Sequence, residues 1–130
     1  METFAKPLDG KTAIITGGDS GIGKACAIEL SDKGANIVIV YHSDEKSAAE
    51  TLDIVEKNGS QGIALKADVG DYTDIVKVFE TTVEKFGNPW ILVNSAGLNE
   101  SGIYADEMDI DTFDRTMRTN LYGTFYSLQV

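Results

Sequence analysis

The sequence predicts an α/β fold: a doubly wound parallel sheet with helices on both faces. Two observations carry that expectation. Short β-branched runs alternate with longer stretches in which apolar residues return every three or four positions. The first, second and fourth of the short runs are nearly continuous apolar segments, the composition of strands buried on both faces.

The strand candidates are Thr12–Thr16, Asn36–Tyr41, Gly62–Lys66 and Trp90–Asn94. Between them the spacing predicts helices at Ile22–Lys33, Glu45–Asn58 and Thr73–Phe86, closed by Gly34, Gly59 and Gly87, because glycine is favoured just past a helix C-terminus. Successive βα units joined by right-handed crossovers build a parallel sheet of Rossmann type, with Ile14, Ile15, Val38, Ile39, Ile91 and Leu92 in its core. After the fourth strand a loop, Ser95 to Ala105, leads to an acidic stretch, Asp106 to Asp114. That stretch reads as a solvated face, and a further helix without a clear start runs to the end.

At 130 residues the chain reads as a single domain, 1–130. Leu121 to Val130 is apolar and aromatic with no glycine or proline stop, and a fourth strand left at the edge would be poorly protected. The expectation is a fold truncated after the fourth strand and following helix, with its C-terminal part absent.

Composition excludes several function classes. A net charge of −10 argues against a basic nucleic-acid-binding surface, since that affinity requires lysines and arginines to neutralise phosphates. One cysteine, Cys26, and one histidine, His42, argue against a disulfide and against a Cys- or His-based metal cluster, so no metal site is expected. The longest apolar runs fall far short of the roughly 20 residues of a membrane span, and Met1 to Lys6 carries no hydrophobic signal segment. A cytoplasmic protein with neither nucleic-acid nor membrane partners is expected. An anionic ligand would need local backbone donors or a helix N-terminus, because the overall field repels it.

Thr16-Gly17-Gly18-Asp19-Ser20-Gly21-Ile22-Gly23 supplies such donors, following a buried strand and opening a helix. Glycine there permits a tight turn, close approach of N–H groups to a pyrophosphate and packing of helix on strand. The helix N-terminus adds about half a positive charge. Thr16, Gly17, Ser20, Gly21, Ile22 and Gly23 are the candidate cofactor contacts; a plain strand-to-helix turn is the alternative. Gly18 to Lys24 also fits the start of a Walker A loop, but Ala25 stands where a magnesium-binding Ser or Thr is required.

With these residues in place, the chain from about Leu8 onward resembles the short-chain dehydrogenase/reductase family. Thr16, Gly17, Gly21 and Gly23 fit its T-G-x-x-x-G-x-G turn. Asp68-Val69 resembles its acidic pair that contacts adenine; a cap for the next helix is the other reading of Asp68, although Asp71 lies closer to that start. Asn94-Ser95-Ala96-Gly97 resembles its N-N-A-G segment beneath the cofactor ribose, with Ser95 replacing the second asparagine, and a strand-ending turn is the alternative. Asn120 matches the helical asparagine that holds a water in the family's proton relay, and it is the one catalytic candidate. Taken alone it reads as a solvent-facing helix residue.

The end of the second strand decides cofactor choice. An Asp or Glu about 20 residues past the turn binds the ribose 2′-hydroxyl and repels a 2′-phosphate. Tyr41 stands there, followed by His42 and Ser43, which can hydrogen-bond a phosphate, so NADP is expected, with NAD possible given the nearby Asp44. The resemblance implies hydride transfer between nicotinamide and a small-molecule carbonyl or alcohol such as a sugar, polyol or ketone. It also implies a catalytic serine and a Tyr-x-x-x-Lys. No tyrosine here meets that spacing: Tyr41, Tyr72, Tyr104, Tyr122 and Tyr126 precede Glu45, Val76, Met108, Tyr126 and Val130. Residues 1–130 alone are therefore expected to be inactive, and a dinucleotide-binding module without turnover is the alternative function. The resemblance further implies a homo-oligomer when the protein is complete, with Leu121, Phe125 and Leu128 on one side of a subunit interface; core packing is the other reading of that spacing.

Overall fold

The computed structural model describes residues 5–98 and 103–130. Residues 99–102 of the expected Ser95–Ala105 loop lie outside it. The elements follow in the order β1 Thr12–Thr16, α1 Gly21–Asp32, β2 Asn36–Tyr41, α2 Glu45–Lys57, β3 Gly62–Lys66, α3 Tyr72–Phe86, β4 Ile91–Asn94 and α4 Ile110–Met117. A π-helical turn, Arg118–Tyr122, then leads into α5, Gly123–Gln129.

All strand pairs are parallel, and the sheet order is β3-β2-β1-β4. Alternation along the central strands separates two cores. Ile15, Ile37 and Ile39 pack with Ala27 of α1 and with Ala48 and Val55 of α2. Ile14, Val38 and Val40 pack with Ile75 and Val78 of α3, and Tyr126 of α5 closes on the same cluster. The fold is thus doubly wound.

Two expectations need correction. Ile91 and Leu92 pack against the two cores but are half-buried, because among the described residues β4 is the outermost strand beside β1. Trp90 precedes β4 and is exposed; its N–H donates to Thr12 O at 2.8 Å and Lys11 Nζ sits 3.4 Å from its ring centroid. Among the described residues no helix is long and apolar enough to cross a membrane.

The acidic stretch is more than a solvated face. Asp109 caps α4, accepting from Thr112 N at 2.6 Å and Thr112 Oγ1 at 2.9 Å, and so sets the helix start that periodicity left open. Asp114 pairs with Arg118 Nε at 3.0 Å. Asp44 caps α2 in the same way through Ser47 N and Oγ at 3.0 and 2.8 Å. These backbone and hydroxyl hydrogen bonds hold the Asp44 and Asp109 carboxyls below the usual carboxylate range.

A carboxyl whose folded value is lowered stabilises the fold fully above its unfolded value, about pH 4, and loses that contribution as pH falls through the folded value. Replacing both caps by asparagine keeps an acceptor for the backbone N–H and removes the titration. The D44N/D109N variant is expected to match the parent's thermal midpoint at pH 7 and to lose less of it between about pH 4 and 2. Superimposable acid profiles would contradict this.

Candidate functional site

The C-terminal ends of all four strands open on one cavity of about 620 Å³. The turn after β1 forms one wall. Gly17 has φ +67°, and a Cβ there would lie 2.8 Å from Ala96 N and 2.9 Å from Ala96 Cα, so only glycine lets this turn meet the β4 exit. A Cβ at Gly23 would overlap the Gly17 carbonyl, which is why the first turn of α1 can sit directly on the loop.

The start of α1 differs from those of α2, α3 and α4. Among the described residues, α2, α3 and α4 open on the carboxylate caps Asp44, Asp71 and Asp109. At α1 the N-cap Ser20 makes no side-chain cap bond, and the first turn holds no acidic residue. Its first N–H groups and the positive end of its dipole face the glycine turn without a protein anion to satisfy them. A phosphate fits that need.

Most of the sequence-predicted residues come together here. Gly17, Ser20, Gly21, Ile22, Tyr41, His42, Ser43, Asp68, Val69, Ala96 and Gly97 line the cavity. Asp44 does not, because its carboxylate is committed to Ser47. Asp68 is not the α3 cap: Asp71 takes that role, accepting from Thr73 N at 2.9 Å, while Asp68 Oδ1 accepts from Gly70 N at 2.9 Å.

Thr16, Gly23, Asn94 and Asn120 are not among the residues that line this cavity, and three of them are engaged or placed around it. Thr16 is buried, and its Oγ1 accepts from Ser95 N at 3.1 Å and Ala96 N at 3.2 Å while donating to Val93 O at 3.4 Å. It fixes the β4 exit to β1. Asn94 ends β4 in register with Thr16 and is exposed.

Asn120, in the π-helical turn, pairs twice with one backbone unit. Its Oδ1 accepts from Leu98 N at 2.7 Å and its Nδ2 donates to Leu98 O at 2.9 Å. Its carboxamide therefore anchors the segment after β4, and a Cβ at Gly97 would reach 3.3 Å from its Oδ1.

Sequence reasoning missed Asp19, Val40, Ala67, Ser95, Leu98, Arg115 and Thr119 as cavity-lining residues. Asp19 and Ser95 lay inside segments already singled out. Arg115 and Thr119 are spaced i, i+4 on one helical segment, so they share a face, but nothing local marked which face met the cavity.

A glycine turn against an uncapped helix, at the carboxyl ends of parallel strands, is a dinucleotide-binding arrangement. The short chain dehydrogenase family model matches residues 11–130. The chain belongs to the short chain dehydrogenase family.

This short chain dehydrogenase sequence is 39% identical over 120 residues to glucose 1-dehydrogenase 2 of Bacillus subtilis (strain 168), covering 92% of this chain and 46% of that protein. A short chain dehydrogenase from Burkholderia cenocepacia J2315, solved in complex with NADP, superposes with a TM-score of 0.89 at 34% identity, covering 94% of this chain and 49% of that one. NAD+-bound xylitol dehydrogenase shares the fold, with a TM-score of 0.89 at 24% identity, covering 95% of this chain and 47% of that one. The chain thus spans about half the length of the relatives it matches.

Proposed function

We propose that residues 1–130 form the cofactor-binding portion of a cytoplasmic, NADP-dependent oxidoreductase. Its reaction is hydride transfer between nicotinamide and a sugar, polyol or ketone. The observation that carries this reading is the α1 N-terminus, left without a carboxylate cap beside a turn whose Gly17 admits no Cβ. A nicotinamide dinucleotide fits both features: its pyrophosphate takes the free N–H groups of α1, and Gly17, Ser20, Gly21 and Ile22 hold it.

Asp68 accepts from the adenine amino group in this reading, and Ala96 and Gly97 pass beneath the ribose. When bound, the cofactor supplies or accepts the hydride. Among the residues of this chain Asn120 acts on the proton side, by anchoring Leu98 and fixing the segment beside the reacting groups. We assign the serine, tyrosine and lysine of the family resemblance to residues outside 1–130, consistent with a match to half of each relative.

The two solved neighbours differ in cofactor, and the end of β2 supports NADP in this reading. Tyr41, His42 and Ser43 line the cavity, and the Asp44 carboxylate that follows them is turned into the α2 cap. That arrangement admits a 2′-phosphate. Calorimetric titration of the full-length protein is expected to give tighter binding of NADPH than of NADH. A tenfold preference for NADH would overturn the NADP assignment, and binding of neither would overturn the function.

A homo-oligomer completes the reading. Leu121, Phe125 and Leu128 are exposed on the helical segment rather than packed in the core, as are Ile110 and Phe113. A concentration of exposed large apolar side chains of this kind supports an interaction face.

A further inference from the structure

The two arginines of the chain are one turn apart and differ in setting. Arg118 is tied to Asp114 at 3.0 Å and lies 5.9 Å from the Tyr122 ring. Arg115 lines the cavity, and among the described residues no carboxylate lies within ion-pair distance of it. It is also the only lysine or arginine among the described residues of the cavity wall, which otherwise carries the acidic Asp19 and Asp68.

Packing places the segment that carries Arg115 beside the exit of β3. A Cβ at Gly70 would lie 3.1 Å from Arg118 Cβ, and one at Gly123 would lie 2.7 Å from Val69 Cγ2. The segment from α4 to α5 therefore crosses the exit of β3. Arg115 and Thr119, one turn apart, line the cavity from this segment, which packs against Val69 and Gly70. Resting on the dinucleotide reading above, this is the adenine end of the site.

A planar, weakly hydrated guanidinium suits the face of a purine, where it stacks and gains cation–π attraction. We propose that Arg115 recognises the adenine of the cofactor, its guanidinium covering the purine face in a wall shared with Asp68, Val69 and Thr119. The 2′-phosphate is assigned to His42 and Ser43, at the end of β2. Arg115 thereby serves NADP and NAD alike.

Calorimetric titration of the full-length protein with NADPH, NADH and 5′-AMP tests this in Arg115→Met and Arg115→Lys. The side chain is exposed, so both variants should keep the parental circular dichroism spectrum and thermal midpoint. Arg115→Met is expected to weaken all three ligands by about tenfold. Arg115→Lys should recover little of this, because the charge is kept and the plane is lost. Loss confined to NADPH would make Arg115 a 2′-phosphate contact and overturn the proposal. Full rescue by lysine, or no loss with methionine, would overturn it too. Failure of the parent protein to bind any of the three would instead sink the dinucleotide reading, and the adenine assignment with it.

Discussion

Gly17→Ala is expected to weaken NADPH binding by at least about 100-fold in the full-length protein. The added Cβ would meet Ala96 N at 2.8 Å and Ala96 Cα and Ser95 C at 2.9 Å, all of them backbone atoms. That backbone cannot simply yield, because Thr16 Oγ1 holds Ser95 N and Ala96 N from below. The left-handed conformation at φ +67° adds about 1–2 kcal/mol for any residue with a Cβ.

The turn must then move away from α1. Hydrogen bonds to a charged group are worth about 1.5–3 kcal/mol each, so misplacing two N–H donors accounts for the expected loss. Gly59→Ala is the control: φ is +88°, a Cβ there meets nothing within 4 Å, and the residue lies outside the cavity wall. It should cost about 1–2 kcal/mol of stability and leave the NADPH dissociation constant unchanged. Binding by Gly17→Ala within fivefold of the parent would show that the close approach is not required.

Ile39→Ala is expected to destabilise the protein by about 2–5 kcal/mol, read as a lower urea midpoint at unchanged slope. Ile39 is fully buried on a central strand between β1 and β3, in the cluster with Ile15 and Ile37. Its Cγ2 lies 3.0 Å from where a Gly18 Cβ would be, so the same side chain supports the floor of the glycine turn. Little of the resulting void can collapse, because paired strands flank it.

Within residues 1–130, Ile91→Ala, on the outermost strand beside β1 and half-buried, returns less apolar surface to water. It should cost about 1–2 kcal/mol. Equal losses at the two positions would contradict the assignment of Ile39 to the packed centre and Ile91 to the margin.

The helix ends show how far local chemistry reaches. Gly34, Gly59 and Gly87 stop α1, α2 and α3, and the strand boundaries of β1, β2 and β3 coincide with the limits of their apolar runs. These features depend on backbone freedom and on side-chain period within a few residues, so they are legible along the chain. The glycine turn is legible for the same reason: its spacing encodes a local conformation and a close approach.

What the sequence by itself determined is therefore the α/β alternation, the central strands and the glycine turn, all set by short-range patterns. Tertiary structure decided the rest. The order β3-β2-β1-β4 put β4 at the margin and left Ile91 and Leu92 half-covered. Crossing of the segment between α4 and α5 over the β3 exit brought Arg115 and Thr119 to the cavity. Thr16 and Asn120 became anchors because their partners lie at Ser95, Ala96 and Leu98, 22 to 80 residues away. A side chain's hydrogen-bonding partner at that separation is chosen by how elements pack, and no local period records it.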